Sequence, residues 1–199
     1  MNHTISHITA IVLSAGGSSR MGFSKALLPW NNRPLLCAHL NLYSSLDMNI
    51  RVVTGAHSKE ILPLLNQDNV ERIHNSSWRT QEQRHSILLG LQGLNLQELV
   101  LIAPVDTSVP DPGEILKLIA TPTPAALSYQ GTTGHPIFSR VDWLLRRLNK
   151  PLCEAKSEFT QVESTNKALW NFNTPQKWLE HTGIKATPMQ YSKNCTKQH

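Results

Sequence analysis

Short apolar runs alternate with segments of mixed polarity along the chain, and this alternation predicts its secondary structure. The first run, residues 8–13, is rich in β-branched side chains, carries no charge and is followed at once by glycines. This is the pattern of a strand buried on both faces of a parallel sheet. Further strands are predicted at residues 50–54, 71–74, 98–103, 125–129 and 169–172, of which 98–103 is the most apolar and 71–74 the most polar.

The segments between these runs carry apolar residues at helical spacing. They predict helices over residues 34–46, 58–65, 84–94, 141–148 and 174–180. Ser58 is expected to cap the second of these and Pro63 to kink it. A sixth helix is expected to begin at Asp111, because Pro112 and Glu114 follow in the first and third helical positions.

Strands that alternate with helices predict an α/β fold with a mostly parallel sheet covered on both faces. We expect one domain over residues 1–181 and a loosely held tail over 182–199, where the periodicity fades. Ligands of such sheets bind beyond the carboxyl ends of the strands. The segments expected at that rim are the glycine-rich residues 14–22, Gly55, residues 104–110 and a second glycine-bearing loop over 131–136.

Composition narrows the class of protein. A chain of 199 residues with 40% hydrophobic and 17% charged residues suits a folded domain without disulfide staples. No apolar run is long enough to span a membrane, and the three widely spaced cysteines fit a reducing cytoplasm rather than a zinc ribbon or disulfide framework. The net charge of +5 comes without a basic cluster. We therefore expect an anionic small molecule as partner, and neither nucleic acid nor membrane.

The segment after the first strand carries the clearest chemistry. Gly16 and Gly17 allow backbone N–H groups to surround an anion, while Arg20 and Lys25 supply two cations. Together they suit a polyphosphate. The spacing matches neither a Walker A motif nor GxGxxG. The alternative is a tight turn that carries two surface cations.

Residues 13–29, LSAGGSSRMGFSKALLP, resemble the LxAGxSxRMGxxKxLLP signature of the MobA-like nucleotidyltransferases. The branch they resemble most is the molybdenum cofactor cytidylyltransferase type. Three further segments agree with the family pattern: PVDT at 104–107, GHPIF at 134–138, and NTP at 173–175 where the family often has Asp-Thr-Pro. The resemblance covers roughly residues 8–180.

This resemblance implies a three-layer, Rossmann-like nucleotidyltransferase fold of the GT-A type. It implies transfer of a nucleotidyl group from an NTP to a phosphorylated acceptor, with release of pyrophosphate. Ala15 stands where guanylyl-transferring relatives have a second glycine, which favours CTP or ATP. The implied catalytic residues are Arg20, Lys25 and Asp106, and the implied Mg²⁺ ligands are Asp106 and Asn173. The implied nucleotide contacts are Leu13, Ser14, Ala15, Gly16, Gly17, Ser18, Arg20, Lys25 and Ser86. The implied acceptor contacts are Gly134, His135 and Pro136.

Several alternatives stay open at this stage. Asp106 could be a turn former, Ser86 a simple helix cap, and His135 a loop residue satisfied by backbone. The acceptor could be molybdopterin or another phosphorylated small molecule, such as a sugar phosphate or phosphocholine. The chain could also bind nucleotide without turnover, because Asn173 replaces the usual aspartate.

Overall fold

The computed structural model describes residues 5–80, 83–149, 152–164 and 170–190. The strands are β1 (Ile8–Ser14), β2 (Pro29–Trp30), β3 (Arg33–Pro34), β4 (Asn49–Thr54), β5 (Val70–His74), β6 (Leu99–Pro104), β7 (Ala125–Tyr129), β8 (Thr132–Arg140) and β9 (Thr160–Glu163). The α-helices are α1 (Leu35–Ser45), α2 (Ser58–Ile61), α3 (Gln83–Leu91), α4 (Pro112–Ile119), α5 (Val141–Arg147) and α6 (Pro175–Thr182).

One sheet of seven strands forms the centre, in the order β5-β4-β1-β6-β8-β7-β9. Every neighbouring pair is parallel except those of β8, which runs antiparallel to β6 and β7. The mostly parallel α/β sheet predicted from the sequence is confirmed. Since β8 runs backwards, its first residues lie at the edge where β1 and β6 end.

Alternate residues of β1 supply the two sides of the core. Ile8, Ala10 and Val12 are fully buried on the face covered by α1 and α4, whereas Ile11 and Leu13 pack toward α3 and α5. Because side chains of a strand alternate between faces, an uninterrupted apolar run serves both layers. A third, aromatic cluster encloses Trp178 of α6 and fixes the chain that precedes this helix.

The two predicted helix starts near prolines are confirmed. Glu114 accepts a hydrogen bond from the backbone N–H of Asp111 at 3.0 Å, as a capping box requires. Thr174 caps α6 by accepting from the N–H of Lys177 at 3.2 Å. The cap predicted at Ser58 is wrong, because His57 holds that position and Ser58 is already helical. The helix continues as a 3₁₀ turn through Pro63.

The prediction of a second glycine-bearing loop over residues 131–136 is wrong, because most of this segment belongs to a strand. Only Gln130 and Gly131 turn, and β8 starts at Thr132. The pairing of β7 with β8 is irregular between Ser128 and Ala126, and Pro136, which has no N–H to donate, lies opposite this irregularity. The chain thus stays extended through a proline.

The last predicted strand, 169–172, begins outside the described residues, and over 170–172 it is reduced to one bridge, between Asn171 and Thr107. The sequence patterns also missed β9 and the β2–β3 hairpin. Three of the four residues of β9 are exposed, as at a polar sheet edge, so no apolar run marks it. The helix predicted to Leu94 ends at Leu91.

Two further findings differ from expectation. Cys37 is disulfide-bonded, although the cysteines were expected to be reduced. The segment after α6 is docked rather than loose over the residues that the structure describes: Met189 donates its N–H to the carbonyl of Leu27 at 2.8 Å, and Ala186 packs against the aromatic cluster. Residues 191–199 of the predicted tail lie outside the described residues. None of the described helices has the length and apolar character needed to cross a membrane.

Candidate active site

A cavity of about 400 Å³ lies beyond the carboxyl ends of β1 and β6. Its walls come from the glycine-rich segment after β1, the start of α3, the loop after β6 and residues 171–173. The predicted site residues that line it are Leu13, Ser14, Ala15, Gly16, Ser18, Lys25, Ser86, Asp106 and Asn173. Residues from the first and last thirds of the chain thus meet at the predicted rim of the sheet.

Lys25, Asp106 and Asn173 form a direct contact within this cavity. The Lys25 ammonium donates to the Asp106 carboxylate at 2.7 Å and to the Asn173 side-chain oxygen at 2.7 Å. The side chains of Lys25 and Asp106 are only 13% and 18% exposed, so water screens this ion pair less than one on the open surface. Asp106 thus lies in the turn after β6 with its side chain paired inside the cavity, and it caps none of the described helices.

Asn173 reaches the site because its segment runs alongside Asp106. The backbone N–H of Phe172 donates to the carbonyl of Asp106 at 2.7 Å. Phe172 is fully buried and packs edge-on against Trp178, with ring centroids 4.8 Å apart. In extended backbone, side chains alternate between faces. Anchoring Phe172 in the aromatic cluster therefore turns both Asn171 and Asn173 toward the cavity.

The two oxygens that meet at Lys25 suit a hard divalent cation. A carboxylate and an amide oxygen are donors that Mg²⁺ accepts in proteins, together with substrate phosphates. In the part of the chain that the structure describes, no group of three or more His, Cys, Asp or Glu side chains is arranged to hold a metal. Asp106 and Asn173 converge on one cation already, so their placement fits a Mg²⁺ ion.

The glycine-rich segment holds backbone donors that are not used within the described fold. Met21 and Gly22 both donate to the carbonyl of Ser18, at 2.9 and 3.0 Å. Within the described ranges, no acceptor is paired with the N–H groups of Gly16, Gly17 or Ser18. Successive free N–H groups next to a positive-φ residue, here Ser18 at 48°, form an anion-binding concavity.

Two predicted nucleotide contacts stand apart from the cavity wall. Arg20 is exposed on the turn that follows the glycines, so its side chain is placed outside the cavity. Gly17 packs beneath an indole ring, since a Cβ added there would lie 2.9 Å from the ring of Trp78. Trp78 itself lines the cavity, close to the cation of the adjacent Arg79.

Ser86 lies inside α3 rather than at its cap. It is buried, lines the cavity and accepts a hydrogen bond from the Asn75 side chain at 3.0 Å. One turn later, Gly90 lets the helix approach the sheet, because a Cβ there would lie 2.5 Å from Ile11. Gly90 thus allows α3 to lie close to the sheet, and Ser86, one turn earlier on the same side of the helix, lies at the cavity.

A second cavity, of about 230 Å³, adjoins the first, and Gln83 lines both. Gly134 and His135 of β8 line the second cavity, whereas Pro136 does not. Burial lowers the pKa of His135, with Asp106 acting in the opposite direction. Its Nδ1 atom is buried and has no hydrogen-bond partner among the described residues. His135 is therefore neutral near pH 7 and lies within electrostatic range of Asp106.

Sequence reasoning missed the residue beneath the Asp106 loop. His39 of α1 is fully buried, and its Nε2 donates to the carbonyl of Thr107 at 3.1 Å. Burial lowers its pKa to about 4, so the ring stays neutral at physiological pH. In the sequence His39 looked like one position of an apolar helix face, and nothing in the spacing connected it with residue 107.

Other cavity residues were also missed: Ser24, Trp78, Gln83 and Asn171. Trp78 lies in a polar loop, NSSW at residues 75–78. A large aromatic side chain in such a loop indicates a binding surface, so the sequence did offer a reason to consider it. Asn171 could be found only from its pairing with Thr107, because asparagines are common in turns.

The fold and the cavity define a class of structure, an α/β domain with a polar cavity beyond the carboxyl ends of its parallel strands. Residues 10–163 match the MobA-like NTP transferase domain. The chain belongs to this family, and it is therefore an enzyme of the nucleotidyltransferase class.

Similarities to individual proteins cover less of the chain. The chain is 33% identical over 98 residues to 2-C-methyl-D-erythritol 4-phosphate cytidylyltransferase of Geobacillus kaustophilus, covering 47% of this chain and 43% of that protein. It is 68% identical over 28 residues to molybdenum cofactor guanylyltransferase of Xanthomonas euvesicatoria, covering 14% and 15%. The chain thus matches less than half the length of either curated relative.

Among solved structures, Rv0371c of Mycobacterium tuberculosis superposes with a TM-score of 0.73 at 17% identity, over 89% of this chain and 98% of that chain. A second structure of Rv0371c, in complex with manganese, gives a TM-score of 0.57 at 17% identity, over 79% and 89%. At this level of identity the similarity shows the fold, and the predicted nucleotidyltransferase fold is confirmed together with the family match.

Proposed function

We propose that this enzyme transfers a CMP group from CTP to a phosphorylated small molecule of the molybdopterin type, and releases pyrophosphate in a Mg²⁺-dependent reaction. The observation that carries this proposal is the contact of Lys25 with Asp106 and Asn173. It brings a cation and two convergent oxygens to the base of a cavity of nucleotide size. A second cavity, next to it, leaves room for an acceptor.

The residues of the first cavity are suited to hold a triphosphate. The N–H groups of Gly16, Gly17 and Ser18 would donate to phosphate oxygens, and Lys25 would offset charge on the leaving pyrophosphate. Arg20, exposed on the same turn, would reach the triphosphate from the outside. An acceptor phosphate is already ionised at neutral pH, so the reaction needs positioning and charge neutralisation rather than a general base.

Asp106 and Asn173 would hold Mg²⁺ in this proposal. When bound, Mg²⁺ neutralises charge on the phosphates and orients them. The manganese complex of Rv0371c supports a divalent ion in this fold. Asp106 contributes the charge, whereas Asn173 contributes a neutral oxygen held in place through Phe172.

CTP is favoured by two observations. Ala15, which the family resemblance associates with CTP or ATP, lines the cavity, and the Geobacillus relative is a cytidylyltransferase. Ser86, fixed by Asn75, would contact the base or ribose from α3.

The acceptor side rests on β8. Gly134, His135 and Pro136 would shape the passage to the second cavity. The neutral ring of His135 has one N–H, which the backbone of Ile102 accepts, so its unpaired Nδ1 atom would donate to an acceptor phosphate once the approaching anion favours the protonated ring. The short match to a molybdenum cofactor guanylyltransferase supports a cofactor of that kind as acceptor.

The test is pyrophosphate release, measured across the four NTPs and a panel containing molybdopterin, a sugar phosphate and phosphocholine. Release with CTP and molybdopterin alone is the expected result. Release with another pair would correct the base or the acceptor. In parallel, CTP with Mg²⁺ at 100 times its dissociation constant should stabilise the fold by about 2.7 kcal/mol. Stabilisation without release for any acceptor would indicate a binding protein without turnover.

A further inference from the structure

We propose that the second cavity selects acceptors whose phosphate is attached to an aromatic or otherwise apolar body, against polyhydroxylated and cationic ones. This inference rests on the proposed transfer to a phosphorylated acceptor. It adds the chemical class of the acceptor, read from the wall of the cavity.

The wall of the second cavity is mostly aliphatic and aromatic. The side chains come from α3, β6, β8 and the region of residues 148–159: Ile87, Ile102, Ile137, Leu148, Leu152 and Phe159. Several of them belong to the core cluster on that face of the sheet. The other lining residues are Gln83, Arg84, Thr133, Gly134, His135 and Lys156, so a body placed here meets a continuous apolar wall together with a few polar groups.

The charged lining residues of this cavity are all basic. Arg84 and Lys156 line it, and neither aspartate nor glutamate is found among its described lining residues. Lys156 lies close enough to His135 for its charge to act on the imidazole. Basic groups in the lining suit a phosphate and repel a positively charged ligand.

The position of this cavity agrees with an acceptor rather than with a second nucleotide. Gln83 lines both cavities, and His135 senses the charge of Asp106 across the boundary. A phosphate held at His135 would therefore face the first cavity, while its body would extend away from it, between α3 and Phe159.

The apolar wall disfavours two of the acceptors considered from the sequence. Hydroxyl groups of a sugar phosphate that lie against Ile87, Ile102 or Phe159 would lose their hydrogen bonds to water without gaining partners. The trimethylammonium group of phosphocholine would approach the ammonium of Lys156, and no aspartate or glutamate stands among the described lining residues to attract it. A flat ring system gains from burial of its faces, and polar atoms at its edge can pair with Gln83 or Thr133.

The test measures binding, so that it does not depend on turnover. Protein saturated with Mg²⁺ and α,β-methylene-CTP is titrated calorimetrically with phenyl phosphate, glucose 1-phosphate, phosphocholine and inorganic phosphate. Phenyl phosphate should bind at least tenfold more tightly than each of the others, a difference of about 1.4 kcal/mol. Equal affinity for phenyl phosphate and inorganic phosphate would overturn the inference, because the body would then contribute nothing.

Two matched variants locate the binding. Thr133, half-exposed on β8, lines the cavity, so Thr133→Trp should reduce phenyl phosphate affinity at least tenfold. Thr132→Trp, one residue earlier and on the opposite face of the strand, should leave it unchanged. Lys156→Glu, at an exposed position, should lower the affinity for phenyl phosphate, glucose 1-phosphate and phosphocholine alike, by about the same factor for each. Unchanged binding in Thr133→Trp would show that the ester binds elsewhere.

The results distinguish a failure of the proposed transfer reaction from a failure of the proposed acceptor selection. If phenyl phosphate binds as expected but no acceptor yields pyrophosphate, the pocket is real and the proposed transfer is wrong. If pyrophosphate is released only with a sugar phosphate or phosphocholine, transfer stands and the apolar selection is wrong.

Discussion

The Lys25 ammonium lies 2.7 Å from the Asp106 carboxylate and 2.7 Å from the Asn173 amide oxygen. It thus occupies the point on which the two proposed Mg²⁺ ligands converge. In the proposed reaction Lys25 would therefore have two roles: it would balance the charge of Asp106 before nucleotide binds, and it would turn to phosphate once Mg²⁺ takes its place.

Replacing Lys25 should separate these two roles. Lys25→Ala should lower turnover on the order of 10²-fold or more, because a donor at developing negative charge is lost. The same change should tighten Mg²⁺ binding to the nucleotide-free protein by about tenfold, since a competing cation is removed. Pyrophosphate release and Mg²⁺ titration calorimetry measure the two effects.

Arg20→Ala should also lower turnover on the order of 10²-fold, but without altering Mg²⁺ affinity, because Arg20 lies outside the cavity. Lys117→Ala, at an exposed lysine of α4, serves as the control for loss of one positive charge. Near-normal turnover in both Lys25→Ala and Arg20→Ala would contradict the assignment of this segment to the triphosphate.

The two proposed metal ligands should contribute unequally to Mg²⁺-dependent activity. Asp106→Ala should abolish Mg²⁺-dependent activity, and Asn173→Ala should weaken it less, because a carboxylate holds a hard dication better than a neutral amide oxygen. Asn173→Asp should leave activity equal or higher. Activity as a function of Mg²⁺ concentration checks all three, and an unchanged apparent Mg²⁺ affinity in Asp106→Ala would show that the ion binds elsewhere.

His135→Ala should weaken acceptor use and leave NTP binding nearly intact. The loss of one hydrogen bond to a charged phosphate should lower acceptor efficiency by about one to two decades. NTP affinity by calorimetry and acceptor kinetics at saturating NTP measure the two halves of the site. A loss of NTP affinity would instead assign His135 to the nucleotide half.

His39 should make the folded state sensitive to mild acid. Its pKa is lowered to about 4 by burial, whereas the unfolded chain has its ordinary value of about 6.5. Between these values the unfolded chain binds more protons, so the stability is present above pH 6.5 and is lost as the pH falls toward 4. At pH 5 the loss from this group is on the order of 2 kcal/mol.

The comparison is between wild type and His39→Gln, whose amide nitrogen can still donate to the Thr107 carbonyl but does not titrate. Urea unfolding at pH 7 and pH 5 gives the free energies. The wild type should lose more stability than the variant over this interval; equal losses would show that His39 is not responsible.

Gly90 should be intolerant of the smallest side chain. Gly90→Ala places a methyl group 2.5 Å from Ile11, so it should destabilise the protein by roughly 1–3 kcal/mol and displace Ser86 from the cavity. Gly113→Ala, in α4 with no atom within 4 Å, is the matched control and should be neutral or slightly stabilising. Urea midpoints for the two variants test the difference.

The parts of the fold that could be predicted are those with a local cause. β1 follows from a run of apolar residues that serves both faces of the sheet, and the start of α4 from Asp111, Pro112 and Glu114. Lys25 and Asp106 could be expected to approach each other because both follow strands that end at the same rim. The family resemblance assigned their chemistry.

The remaining parts depend on contacts distant in sequence. β9 is a polar edge strand, recognisable only from its pairing with β7. Asn173 enters the cavity because Phe172 is buried against Trp178. No pattern in the neighbouring sequence predicts that contact. His39 supports the Asp106 loop through its hydrogen bond to the Thr107 carbonyl. The helical periodicity around His39 does not predict this contact.

The pairing of residues 171–173 with the loop after β6 also affects when the enzyme becomes active. Lys25 and Asn173 are 148 residues apart, and the packing of Phe172 against Trp178 holds Asn173 in position. During synthesis, where folding proceeds from the N-terminus, the glycine-rich segment and Asp106 emerge long before Asn173. On the proposed mechanism, a ribosome-bound chain that stops short of residue 178 would have the glycine-rich segment but would lack the contact that places Asn173, and nucleotide bound to it would remain unreacted.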